Sequence, residues 1–222
     1  MAPSKVVVFD IIETVFSLEP VRHGLASAGF DPSDLETWFA FGLRDAFALN
    51  ATGDFVPFKE VLDGALEQLA ATRGLAVGQH RRSAILSTMA QLTPQKGAAE
   101  MFQALQEAGL PIHALSHGAV SATANLFDQA QMRHFLTGIH SVEPAKAFKP
   151  RGEVYRAALA EIGVEPQDAM MVAAHAWDCH GAKAVGMRTA FVSRGHPVPA
   201  SMATPDIVVE DLTDLPAAIL SE

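Results

Sequence analysis

The sequence predicts an α/β protein: a doubly wound, Rossmann-like parallel sheet with a helical bundle inserted after its first strand. Three observations predict it. Short β-branched or apolar runs such as KVVVF (5–9) and AMMVAA (169–174) have the length and unbroken hydrophobicity of strands buried on both faces. From residue 94 onward such runs alternate with helical stretches that close on glycine, which implies crossover connections and a parallel sheet. Between 18 and 95 the apolar residues instead keep three- and four-residue spacing, with no clear strand among them.

The first strand spans 5–9 and runs into Asp10. A short helical piece follows near 21–28, then helices over 35–47, 58–71 and 79–92, separated by Asp31-Pro32, Thr52-Gly53 and Gly74. Four helices without a strand pack as a small bundle. Past Thr93-Pro94 a helix over 98–108 closes on Gly109, a strand over 111–115 ends in SHGAV, a helix covers 121–129 and a strand 139–142. A helix over 153–162 stops at Gly163, a buried strand occupies 169–174, and a helix over 177–185 closes at Gly186. Strands at 188–192 and 207–209 and a helix at 215–220 complete the chain. Residues 1–16 and 94–222 are thus expected to form the core domain and 17–93 a cap. An insert leaving the carboxyl edge of the sheet lies over the place where open α/β folds bind ligands.

The net charge of −9, from 16 basic and 25 acidic side chains, argues against nucleic acid or an anionic membrane surface as the main partner. The single cysteine, Cys179, excludes an internal disulfide and fits a reducing compartment. No apolar stretch reaches the ~18 residues of a membrane span, and the N-terminal apolar run is too short for a signal peptide. A cytoplasmic protein is expected.

The strand-end rule selects candidate chemistry. Asp10 and Thr14 follow the first strand, and Ser116 and His117 the second. Lys146 and Lys149 precede the helix at 153, and His175 and Asp178 follow the strand at 169–174. Together these loops bring a carboxylate, a hydroxyl, an ammonium and a second carboxylate to one edge. An ionised Asp can attack carbon or phosphorus and become an ester. A nearby Lys keeps it ionised, hydroxyls orient its free oxygen, and a second carboxylate can hold the Lys or activate water. Each residue alone has a blander reading as turn, cap or surface group. HAWDCH (175–180) also invites a metal reading, but neighbours at the start of a helix face apart, so no metal site is expected there.

VVVFDIIETVF, HALSHGAVSATANLF, SVEPAKAFKPRGEVYRAAL and VAAHAWDCHGAKAVGMRTAFVSRG resemble the four motifs of the haloacid dehalogenase superfamily. KP-x4-Y, AWD-x2-GA and the helical insert resemble its L-2-haloacid dehalogenase (type II) branch, over roughly 5–210. The resemblance implies Asp10 as nucleophile, with Thr14, Ser116, Lys149 and Asp178 as the catalytic groups around it. It implies Tyr155 near the substrate carboxylate, with Ile12, Phe39, His117, His175 and Trp177 lining the substrate site. It also suggests a homodimer.

Departures sharpen this reading. The superfamily's phosphatases carry an acid where this chain has Ile12, and a metal-binding carboxylate where it has Ala174. Losing both harms phosphoryl transfer but costs little in halide displacement, since a halide leaves without a proton. The branch has a cap arginine where alignment on Trp38 places Phe39, and Arg44 lies about 140° further round a helix at ~100° per residue. The motif-two Asn is His117, and SSN becomes Ala173-Ala174-His175. His117 or His175 is expected to stand in for the missing arginine. Glu13 occupies a position where glycine is commoner. The expected function is cofactor-free hydrolysis of a short, anionic 2-haloalkanoate through an aspartyl ester. The alternatives are a Mg²⁺-dependent small-molecule phosphatase of the same superfamily and a non-catalytic small-anion-binding relative.

Overall fold

The computed structural model describes residues 4–221. In chain order, β1 (Val6–Phe9) is followed by β2 (Phe16–Ser17) and by helices α1 (Glu19–Ser27), α2 (Asp34–Thr52), α3 (Phe58–Thr72) and α4 (Gln79–Ser87). Then come β3 (Thr93–Pro94), α5 (Ala98–Glu107), β4 (Ile112–Ser116), α6 (Val120–Gln129), β5 (Gly138–Ser141) and α7 (Gly152–Ile162). β6 (Ala169–Ala173), α8 (Ala176–Ala184), β7 (Arg188–Val192), β8 (Ile207–Val209) and α9 (Leu215–Leu220) complete it.

The strands of the main sheet are ordered β5-β4-β1-β6-β7-β8 and all pair in parallel. Val7 lies between Ile112 of β4 and Met170 of β6, so β1 is central and wholly buried, as its unbroken β-branched run requires. The chain builds outward from β1 through β4 and β5, then returns to its other side for β6. That reversal opens a crevice at the carboxyl ends of β1 and β6. The residues leaving β1 stand at its mouth.

Helices α1–α4 pack on one another. Trp38 of α2, wholly buried, donates its indole N–H to the Leu62 carbonyl of α3 at 3.0 Å. Helix α2 runs on to Thr52, past the expected end at 47, because Ala48, Leu49 and Ala51 are good helix formers and no breaker intervenes until Gly53 turns left-handed. Helix α4 ends at Ser87, and 88–91 tightens into a 3-10 turn. The ribbon β2–β3, antiparallel with Phe16 opposite Pro94, replaces the simple break expected at Thr93-Pro94. Two-residue strands are too short to carry a period. This ribbon ties the exit of the helical segment to its return. Among the described residues no helix is long and apolar enough to cross a membrane.

Helix α8 approaches the chain ahead of α7 very closely at Gly181. A Cβ there would lie 2.5 Å from Pro150 Cβ, 2.7 Å from the Pro150 carbonyl and 2.8 Å from the Tyr155 hydroxyl. Glycine therefore sets how near Asp178 on α8 comes to Lys149. Gly181→Ala is expected to cost about 1–3 kcal/mol in urea unfolding; a variant as stable as the parent contradicts this packing.

Candidate active site

Asp10 leaves β1 with its N–H bonded to the Val172 carbonyl of β6 at 2.9 Å, which fixes it at the crevice. Thr14, one tight turn later, donates its hydroxyl to Asp10 Oδ2 at 2.6 Å and accepts the Ala174 N–H at 2.8 Å. One hydroxyl thus links the ends of β1 and β6. Lys149 spends its three hydrogens on Asp10 Oδ1 (2.7 Å), Asp178 Oδ2 (2.6 Å) and the Leu115 carbonyl (3.2 Å). Lys149, Thr14 and Asp178 are wholly buried.

Glu13 sits at the crest of that turn with φ 65°, the left-handed region that glycine enters freely and other residues enter at a cost of roughly 1–2 kcal/mol. Its carboxylate lies 3.0 Å from His175 Nε2, while His175 Nδ1 lies 3.2 Å from Asp10 Oδ2. The imidazole is therefore held between two carboxylates.

The electrostatics follow from this arrangement. Burial pushes the Asp10 carboxyl up, but the Lys149 charge and the His175 bond outweigh it and hold Asp10 well below the usual carboxylate range. Burial pushes Lys149 down, and the charges of Asp10 and Asp178 reverse that and raise it. Burial, helped by the Asp10 charge, leaves Asp178 raised despite Lys149. Burial lowers His175, yet its bonds to Asp10 and Glu13 raise it to about 9. His117 is driven well below 6.5 by burial and by the Lys149 charge, so it is a neutral imidazole at neutral pH.

Asp10, Ile12, Phe39, Leu43, Phe58, His117, His175 and Trp177 enclose a small pocket with about 10 Å³ free, room for roughly one water. Of the residues expected to contact substrate, Ile12, Phe39, His117, His175 and Trp177 meet there. Phe39 faces the His175 ring at 6.2 Å, and Trp177 stacks on it at 5.1 Å. His117 is packed among Phe58, Phe148 and Trp177, and its buried Nε2 has no hydrogen-bond partner among the described residues.

One expectation is corrected and two are narrowed. Tyr155 does not line the pocket: it is wholly buried behind Asp178, to whose Oδ1 it donates at 2.6 Å. Ser116 accepts the Gly118 N–H at 3.1 Å and borders a separate apolar cleft of about 560 Å³, which shares Ile12 and Phe58 with the pocket. His175 has both ring nitrogens engaged, so of the two histidines only His117 has a nitrogen left for a ligand. Arg44 bonds Asp45 and Gln68 on an exposed face, away from the pocket. Lys146 lies over the Phe55 ring at 5.2 Å. His113 pairs with His140 at 3.1 Å and the His180 ring accepts the Ala203 N–H; among the described residues no group of three His, Cys, Asp or Glu is placed to hold a metal ion.

A family model described as haloacid dehalogenase-like hydrolase matches residues 4–186. The chain belongs to that family. It is 24% identical over 211 residues to the (S)-2-haloacid dehalogenase of Pseudomonas fluorescens, spanning 94% of this chain and 93% of that one. It is 26% identical over 211 residues to the (S)-2-haloacid dehalogenase of Pseudomonas sp. (strain YL), spanning 94% and 91%. The structure of L-2-haloacid dehalogenase from Xanthobacter autotrophicus with chloropropionic acid covalently bound shares the fold, with a TM-score of 0.90, 24% identity and 98% coverage of both chains.

In this haloacid dehalogenase-like hydrolase, sequence reasoning missed three supports of the site. Asn50 clamps Phe148 through two 2.8 Å bonds, Nδ2 to the carbonyl and Oδ1 from the N–H, which fixes the chain just before Lys149. Arg194 donates to the Glu13 and Thr14 carbonyls. Phe58 packs edge-on against His117 at 4.8 Å. None carries a local signal, because each acts across the fold.

The site makes stability depend on pH with a definite sign. His175 is raised from 6.5 to about 9, so its contribution is fully present below pH 6.5 and lost as pH rises through about 9. Asp10 is depressed from 3.8, so its contribution is present above that value and lost on acidification. Stability to urea should fall between pH 6.5 and 9, and His175→Gln should remove that decline, worth on the order of 3 kcal/mol. An unchanged decline in the variant contradicts the assignment.

Proposed function

We propose that this hydrolase is a metal-independent 2-haloacid dehalogenase acting on short 2-haloalkanoates, with residues 17–93 as a cap over a core of 1–16 and 94–222. The observation that carries the reading is a buried Asp10, kept ionised by Lys149, facing a pocket walled by Ile12, Phe39, Leu43, Phe58 and Trp177. A carboxylate stripped of water is a stronger nucleophile toward carbon than a solvated one, and the apolar wall suits a halide that departs without a proton. Thr14 and His175 both hold Oδ2, so Oδ1, partnered by Lys149, is the oxygen assigned to backside attack at C2, with inversion. His117 Nε2 is assigned to the substrate's carboxylate or the leaving halide, the role left vacant at Phe39. Water then attacks Asp10 Cγ, with Asp178 as proton acceptor, and a 2-hydroxy acid is released. The relatives' naming as (S)-2-haloacid dehalogenases supports the (S) substrate here.

A divalent cation suits these residues poorly. Asp10 and Asp178 both close on the Lys149 ammonium, and the position that would add a third carboxylate carries the methyl of Ala174. With about 10 Å³ free, the pocket admits even a two-carbon acid only if the cap rings of Phe39 and Phe58 shift. A cytoplasmic location and a homodimer belong to the same reading; the mass of the purified protein in solution checks the dimer.

Halide release from (S)-2-chloropropionate and from chloro-, bromo- and fluoroacetate, with EDTA present, tests the function. At least one should be turned over, and Asp10→Asn should abolish it. Turnover only with Mg²⁺ and an aryl phosphate, or ligand-induced thermal stabilisation without product, would replace this reading with a phosphatase or a binding protein.

A further inference from the structure

Glu13 has no assigned part in the displacement step and His175 only helps to hold Asp10 Oδ2, yet the structure spends a strained backbone residue and two ion pairs, the one to Glu13 partly exposed, on them. We propose that His175, braced by Glu13, joins Thr14 as the second donor of an oxyanion hole that drives hydrolysis of the Asp10 ester. This rests on the dehalogenase reading above.

The geometry is that of a site built for the second half-reaction. Both donors converge on the same oxygen, Asp10 Oδ2: Thr14 Oγ1 at 2.6 Å and His175 Nδ1 at 3.2 Å. Neither is bonded to Oδ1, the oxygen assigned to the ester link. When that link forms, Asp10 loses its negative charge, while Glu13 at 3.0 Å from Nε2 keeps a countercharge on the imidazolium. When water adds to Cγ, negative charge returns to Oδ2, where the two donors already stand. Donors fixed where charge develops need no reorganisation, and in a water-poor site they are worth most. Phe39 and Trp177 flank the imidazole and shield its pocket side from water. The left-handed turn at Glu13 is held in place by Arg194 and by Gln95 Nε2, which both donate to the Glu13 carbonyl. A strained residue persists where its surroundings over-determine it.

The step balances as follows. The water oxygen bonds to Cγ as one of its protons passes to Asp178, and the carbonyl π pair moves onto Oδ2. Collapse restores that double bond and breaks the Cγ–Oδ1 bond. The departing alkoxide, carrying Oδ1, takes the proton from Asp178, and the new Asp10 carboxyl releases its proton to solvent. His175 keeps its own proton throughout.

Groups facing His175 are Asp10 and Glu13, bonded to it, with Lys149 and His117 beyond Asp10 on the pocket side. Across the groove on its outer side stand Arg194, His196, Arg22, Glu19 and Glu36. Once Asp10 is esterified, Glu13 is the one carboxylate still bonded to the ring. Glu13 is thus a positioning residue and His175 a catalytic one, and the pH profile separates the two.

The test compares the wild type, His175→Gln and Glu13→Gln on (S)-2-chloropropionate, by rapid-mixing halide release and intact-protein mass. Both variants should keep a first burst of about one halide per chain and accumulate the Asp10 ester, with kcat about 10²–10³-fold down in His175→Gln. In Glu13→Gln the alkaline limb of kcat should move at least one pH unit lower. Equal loss of burst and turnover without accumulated ester, or an unmoved alkaline limb, overturns the inference while leaving the dehalogenase reading intact. No halide from the wild type overturns that reading, and this step with it.

Discussion

A single ammonium, that of Lys149, bridges two buried carboxylates and keeps Asp10 ionised, and the rest of the site is arranged around it. Burying such ions is costly, and their mutual attraction offsets that cost only when every proton and lone pair finds a partner. Here the third Lys149 hydrogen meets the Leu115 carbonyl, Tyr155 caps the far oxygen of Asp178, and Thr14 takes the far oxygen of Asp10. The partners come from the end of β4, from helix α7 and from the turn after β1, and the three ions from segments at the carboxyl edge of the sheet. The strand order β4-β1-β6 brings those segments together, the Asn50 clamp fixes the chain before Lys149, and Gly181 lets α8 close on it.

The positive charge of the site is distributed differently from the pattern that its motifs resemble. With Phe39 on α2 and uncharged, the cations come from the carboxyl edge of the sheet: Lys149 on one oxygen of Asp10 and His175 on the other. Glu13 consumes the remaining valence of His175, which leaves the neutral His117 as the pocket's unpartnered polar group. Glu13 and His175 make sense only as a pair. The glutamate accepts a left-handed backbone and holds the imidazole, and the imidazole stands where the resembling motifs have an amide side chain.

Much of this was legible in the sequence because topology does most of the placing. The alternation of buried runs and glycine-closed helices located every strand of the main sheet to within a residue or two. The strand-end rule then selected Asp10, Thr14, Lys149, His175 and Asp178 from a chain with many other polar groups. What escaped depends on directions that periodicity does not encode. Tyr155 lies in the expected helix, but one turn of orientation sends its hydroxyl behind Asp178. The aim of Glu13 is decided by one positive φ, and the Asn50–Phe148 clamp joins residues 98 apart in sequence. The β2–β3 ribbon is too short to have a pattern at all.

The central claim is that Asp10 itself, and not water, displaces the leaving group. A single turnover in oxygen-18 water with enzyme in excess over (S)-2-chloropropionate tests it most directly. The account predicts unlabelled 2-hydroxy acid and one labelled oxygen in the peptide that contains Asp10. Label in the product of that first turnover, with Asp10 unlabelled, would contradict it.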